Sequence, residues 1–289
     1  MSRTFQLITD SSCDLPAELV KKLDLVVVPL YVTMDNGEKN IPNDCLDIKE
    51  FYGRLRNKES IKTSAVAISA FSEVFEEYAK AGKDILYIGF SSGLSATYAA
   101  GKNAAEEVSE KYPDRKILTV DSLSASMGQG LLVYLVAGYA DSGVSVEDAA
   151  KYAEELRLRV CHEFTVDDLF FLRRGGRVSA ATAVVGSMLA IKPIMHMDNE
   201  GHLIAVGKER GRLNSLKKLC DKLCENAVNA KEQTVFISHG DCLEDAQKLA
   251  DMIRERAGVK DIVISYVGPV IGAHSGPGTV ALFFVAEKR

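Results

Sequence analysis

The segment DILYIGFSSGLSATYAAGKNAAEEVSEKYPDRKILTVD, Asp84 to Asp121, decides the fold. DILYIGF is a nearly continuous apolar run closed by a glycine and reads as a buried strand. LSATYAAGKNAAEEVSEKY then has helical spacing, and KILTVD returns to a strand pattern. Parallel neighbours need a crossover connection, so strand, helix, strand at these lengths predicts a parallel sheet. The same alternation runs upstream. FQLIT from Phe5 is a strand, and DLPAELVKKL a helix with Asp14 as its cap and Pro16 in its first turn. LVVVPLYV is the next strand, Asp35-Asn36-Gly37 a turn, and DIKEFYGRLRN and SAFSEVFEEYAKAG are helices.

Beyond about residue 155 the character changes. HEFTV, a Gly-Gly-Arg segment and the hairpin pattern IKPIMHMDNEGHLIAV, turning at Asp198 to Gly201, precede the strands TVFISHG, DIVISYV and VALFFVA. The expected fold class is α/β in two domains: a Rossmann-like parallel sheet over 1–155 and an α+β domain over 156–289. A length of 289 residues fits two closely packed domains, and no repeat or flexible linker separates them.

Composition narrows the function classes. Lys and Arg total 35 against 40 Asp and Glu, a net charge of −5, which argues against a dedicated nucleic-acid binder. No signal-peptide pattern opens the chain, and its longest apolar runs, such as LLVYLVA from Leu131, fall short of the roughly 18 residues a membrane span needs. The sequence reads as soluble and cytoplasmic. Six cysteines are scattered without a CxxC pair, so neither a disulfide framework nor a metal site is expected. Cys220 and Cys224 lie four apart on a helical stretch, but nothing nearby completes a zinc site.

Three strands end on Asp or Ser clusters: ITDSS, YIGFSSGLS and LTVDSLS. Ligands of open α/β sheets sit outside the carboxyl ends of strands, where strand order reverses. Ser91-Ser92-Gly93-Leu94-Ser95 follows a strand and opens a helix, an arrangement suited to anions or to simple capping. Neither G-x-x-x-x-G-K-[ST] nor G-x-G-x-x-G is present, so a nucleotide ligand lacks its usual support. Gly89 to Gly93 fits G-x-S-x-G with His239 and His274 downstream, which keeps open a serine hydrolase of lipid-like esters using Ser91. Few strands precede that pattern, and no HGGG-type segment accompanies it. Thr63-Ser64 in KTSAVAIS sits between two helical patterns, away from any strand, where hydroxyls make caps or turns. His274 lies in GPVIGAHSGPG, whose glycines allow close approach to a ligand. Arg173, Arg174 and Arg177 surround Gly175-Gly176, a pattern suited to a carboxylate or phosphate as well as to a solvated basic turn.

Together, ITDSSCDLP, Thr63-Ser64, SSGLSATY, VDSLSASMGQG, VDDLFFLRRGGRVS, IKPI, KERGR and GPVIGAHSGPG span nearly the whole chain. In this ordered set the sequence resembles the DegV family of bacterial lipid-binding proteins, which includes the fatty-acid-binding subunits of fatty acid kinase. The resemblance implies a long-chain fatty acid in a hydrophobic tunnel, its head group near the domain interface. Thr63, Ser95, His274 and Arg177 would hold the carboxylate, with Ser64 and Ser92 adjoining. Arg210 of KERGR would contact an ATP-dependent fatty acid kinase subunit. The implied role is a non-catalytic carrier that presents the carboxyl group, then holds the acyl-phosphate for phospholipid synthesis. No cofactor is implied beyond the bound lipid; a lipid sensor and transient contact with a membrane surface share the same pocket. Two departures stand out. Val66 and Ala67 replace the Pro and Ser of the family's TSxPS, and Ala96 stands where Gly is usual, which is expected to narrow the carboxylate end.

The physics agrees with that implication. A sixteen-carbon chain gains about 0.8 kcal/mol per buried methylene, roughly 11 kcal/mol gross before association costs. An unpaired buried carboxylate would erase much of it, and hydroxyls, an imidazole and a guanidinium prevent that loss.

Overall fold

The computed structural model describes residues 3–34, 37, 40–178 and 190–289. The predicted strand–helix–strand unit is there as β6 (Asp84–Gly89), α4 (Thr97–Lys111) and β7 (Ile117–Asp121). With β1 (Phe5–Asp10) and β2 (Val26–Val28) they form an all-parallel sheet in the order β2-β1-β6-β7. Side chains alternate between its faces as strand geometry requires. Ile8, Ile85 and Tyr87 pack with Phe71 and Phe75 of α3 (Ile68–Lys80) and Ala104 and Val108 of α4. Leu7, Leu86 and Ile88 face α5 (Met127–Ala140) and α6 (Val146–Leu156).

The second sheet is mixed. β8 (Val160–Thr165), β9 (Ile191–Met197), β10 (Leu203–Arg210), β11 (Thr234–His239), β12 (Asp261–Tyr266) and β13 (Val280–Val285) run in the order β10-β9-β8-β13-β11-β12. The predicted hairpin is β9–β10, closed by Asp198 N–H to His202 O at 2.9 Å and Gly201 N–H to Asp198 O at 3.1 Å. One face meets α5 through Phe236, Ala281 and Phe283. The other is covered by α8 (Arg212–Asn226) and α9 (Leu243–Ala257), whose Leu216, Leu219, Leu249 and Ile253 bury against Val235, Ile237 and Leu282. The layers are therefore α3/α4, parallel sheet, α5/α6, mixed sheet, α8/α9. Lying between two sheets explains why α5, which contains LLVYLVA, is apolar nearly all round.

Four local readings change. LVVVPLYV is two strands: β2 belongs to the parallel sheet, and β3 (Tyr31–Thr33) to a small separate sheet in the order β4-β3-β5. Pro29 has no N–H to continue a ladder, and after it Leu30 N–H turns aside to the Ser11 hydroxyl at 2.8 Å. Lys62–Ser64, read as lying away from any strand, is β5, antiparallel to β3 and placing Thr63 opposite Val32. Asp14 does not cap α1 (Ala17–Lys22); Pro16 holds the cap position, and Asp14 is turned inward to Ser126. α4 starts at Thr97 rather than near Leu94, because Ser91 to Leu94 make a tight turn with Ser95 N–H on Ser91 O. The predicted turn at Asp35-Asn36 lies outside the described residues.

Candidate functional site

Strand order reverses between β1 and β6, and β7 follows beside them, so the three Asp and Ser clusters line one edge. Asp10 fills the crevice itself. Its carboxylate accepts from Tyr87 O–H at 2.8 Å, Phe90 N–H at 2.9 Å and Ser12 O–H at 2.5 Å. Burial raises its pKa against those bonds. With its oxygens committed to protein donors, Asp10 organises the loops rather than meeting a ligand.

The loops so organised form one wall of a cavity of about 270 Å³. Phe90, Leu94 and Ala125 come from the parallel-sheet side, and Phe164, Met197, Ala281 and Phe283 from the mixed sheet. Thr63 on β5, Ser64, Ser95, Arg177 and His274 on α10 (Pro269–Ser275) also line it. Five of the six predicted carboxylate-binding residues thus share one cavity.

His274 Nε2 lies 2.8 Å from Thr63 Oγ1. Its Nδ1 is buried without a partner among the described residues, and a Cβ on Gly175 would come within 2.2 Å of it. Burial first, then the Arg177 and Arg174 guanidiniums, push the imidazole down to about 4, so it is neutral near pH 7. The unpartnered Nδ1 makes the Nε2-protonated tautomer the cheaper one. That ring donates to Thr63 and leaves the Thr63 O–H free to donate into the cavity. Arg177 curls onto the Gly175 carbonyl through one nitrogen. Ser95 accepts Thr97 N–H at 3.2 Å and pairs with the Thr97 hydroxyl at 2.9 Å, which fixes it at the start of α4. Arg174 lies over the Phe170 and Phe171 rings, 5.6 and 5.3 Å from their centroids.

The remaining predicted positions lie elsewhere. Ser92 is exposed, gives its N–H to Asp121 Oδ1 at 3.2 Å and does not line the cavity. Arg210 is exposed at the end of β10, away from the cavity lining. Ala96 lines the cavity beside Ser95. Val66 is buried in the core on the α3 side, and Ala67 is exposed at the helix cap.

Sequence reasoning did not single out Ser126, Ser238, Ser275 or His162 as lining residues, yet all four face this cavity. Ser126 and Ser238 do close strand-end motifs, in VDSLSAS and TVFISHG, which is the signal that marks them. His162 is satisfied on both sides, by Ala125 N–H at 3.3 Å and Val160 O at 3.1 Å, and burial holds its pKa well below the ordinary value.

Ser91, the hydrolase candidate, is fully buried. It donates to Gly201 O at 2.8 Å and accepts Gly93 N–H at 3.2 Å. His239 packs at a tilt against the Tyr266 ring and accepts Cys242 N–H, while His274 is held by Thr63. Among the described residues, neither histidine is hydrogen-bonded to Ser91. Also among them, no group of His, Cys, Asp or Glu is placed to hold a metal, and no helix is long and apolar enough to cross a membrane.

A family model described as an uncharacterised protein of the DegV family matches residues 4–287. The chain belongs to the DegV family. It is 46% identical over 289 residues to a DegV domain-containing protein of Clostridium perfringens, covering 99% of each chain. Its fold superposes on Bacillus subtilis DegV, a fatty acid binding protein, with a TM-score of 0.85 and 30% identity, covering 99% of this chain and 100% of that one. A stearic acid-binding protein of Eubacterium ventriosum gives a TM-score of 0.86 at 26% identity, covering 98% of each. Fatty-acid binding is therefore a property of DegV homologues with this fold.

Proposed function

We propose that this chain is a cytoplasmic, non-catalytic carrier that binds one long-chain fatty acid in the cavity between its sheets. Thr63, Ser95, His274 and Arg177 take the carboxylate, with Ser64 beside them. The carrying observation is the Thr63–His274 contact in a cavity that takes apolar lining from both sheets, with Arg177 lining the same cavity. A neutral imidazole fixes the threonine proton as a donor, and the guanidinium supplies the charge a buried carboxylate needs.

In this reading the carboxyl group is presented to a separate ATP-dependent fatty acid kinase that docks around exposed Arg210, and the acyl-phosphate is held for phospholipid synthesis. Residues 1–155 and 156–289 enclose the cavity from two sides, the division falling at the last residue of α6, just before the turn that leads into β8. Displacement of a fluorescent fatty acid tests the binding. The double variant Thr63→Ala, Ser95→Ala is expected to weaken stearate at least tenfold with an unchanged circular dichroism spectrum; undiminished affinity would remove these residues from the site.

A further inference from the structure

The cavity carries further polar side chains that a plain acyl chain leaves unused. Ser126, Ser238 and Ser275 all line it, and all are at least nine-tenths buried. Ser275 Oγ has no hydrogen-bond partner among the described residues. Ser126 Oγ lies 2.6 Å from Asp14 Oδ2 and 3.1 Å from Ser238 Oγ. Among the described residues, no hydrogen bond joins the side chains of these three serines to those of Thr63, Ser95, Arg177 or His274.

The protons of the group can be assigned. With Asp14 ionised, the single Ser126 proton goes to its carboxylate, so Ser238 must donate to Ser126. Ser238 then faces the cavity with acceptor lone pairs, and Ser275 offers one donor and two acceptors. Neighbouring Thr279, also on the wall, is already used: its hydroxyl donates to the carbonyls of Ser275 and Gly276 at 3.0 and 2.9 Å. Against methylenes, the Ser275 hydroxyl would stay desolvated and unpaired, which native interiors rarely tolerate.

We propose that Ser238 and Ser275 form a subsite for a hydroxyl group on the acyl chain, so that the preferred ligand is a hydroxy fatty acid. This rests on the fatty-acid reading above and names its ligand class. A hydroxyl is both donor and acceptor, so it gives its proton to Ser238 and accepts the Ser275 proton. A keto oxygen answers only Ser275. A second carboxylate meets the Ser238 lone pairs and the Asp14 charge behind them, and is disfavoured. Burial pushes Asp14 up to about 7, so the selection is sharpest in alkaline buffer.

The test is competitive displacement near pH 8.5 with stearate, a series of hydroxystearates differing in hydroxyl position, and octadecanedioate. Expected is one positional isomer binding about tenfold more tightly than stearate, with the dioate weaker than both. Ser275→Ala and Ser238→Ala should each erase the hydroxyl advantage and leave stearate affinity within about twofold. If Ser238→Ala fails to fold, Ser275→Ala decides alone. Stearate outcompeting every isomer, or a hydroxyl preference that survives Ser275→Ala, overturns the subsite while leaving the carrier intact. Binding of none of these acids overturns the carrier reading as well.

Discussion

Thr63 Oγ1 and His274 Nε2 meet at 2.8 Å across 211 residues of sequence, joining the small sheet to the last helix on one wall of the cavity. The contact turns a threonine hydroxyl into a directed donor. Thr63→Val keeps the shape and removes the donor, and should weaken fatty-acid binding about 10- to 100-fold, the range for a hydrogen bond to a charged group. Thr63→Ser should restore most of it. Titration of a fluorescent fatty acid reads both, and equal affinities for valine and threonine would exclude Thr63 from the carboxylate.

Gly128 opens the first turn of α5, and a Cβ there would sit 2.1 Å from His162 Nε2. Gly→Ala inside a helix ordinarily stabilises by up to about 1 kcal/mol. Here the sign should invert, because His162 is fully buried and held at both ring nitrogens and has nowhere to move. Gly128→Ala is expected to destabilise by about 1–3 kcal/mol in urea unfolding. Gly138→Ala on the same helix, with open space around the new methyl, serves as the control.

Asp14 couples stability to pH. Its carboxyl rises from an ordinary 3.8 to about 7, chiefly through burial. Between those values the native chain holds a proton that the unfolded chain releases. The stability involved is fully present below pH 3.8 and is lost as pH rises to 7, on the order of 4 kcal/mol at most. His274 acts in the opposite sense: lowered from 6.5 to about 4, it contributes stability above 6.5 that fades as pH falls to 4. Asp14→Asn isolates the first effect, and its Tm relative to the parent should rise from pH 4 and level off above about pH 7. A pH-independent difference would show that Asp14 titrates normally.

Ser91 should be inert as a nucleophile. Its proton is given to Gly201 O, and no histidine is bonded to it among the described residues. A fluorophosphonate probe should leave the native protein unlabelled under conditions that label a control esterase; labelling lost in Ser91→Ala would revive the hydrolase.

The parallel sheet was legible because β1, β6 and β7 each carry an apolar run long enough to show its own period, and each ends on a polar cluster. The short strands were not. Tyr31–Thr33 and Lys62–Ser64 are three residues each, too few for a period, and they exist because they pair with each other. Pro29, inside what reads as one apolar run, marks where the chain leaves one sheet for another. The site divides in the same way. Motifs brought Thr63, Ser95, Arg177 and His274 forward through family resemblance, and their sharing of one cavity depends on tertiary contacts that no local pattern encodes. The hydroxyls of Ser126, Ser238 and Ser275 were legible only as ordinary strand-end or loop serines; burial around a cavity gives them meaning.

The most direct test of the carrier account is native mass spectrometry of the freshly purified protein, followed by denaturing extraction of whatever it holds. The account predicts a mass excess of one fatty acid per chain, lost in the variant Thr63→Ala, Ser95→Ala. A bare protein that also takes up neither added stearate nor a hydroxystearate would contradict it.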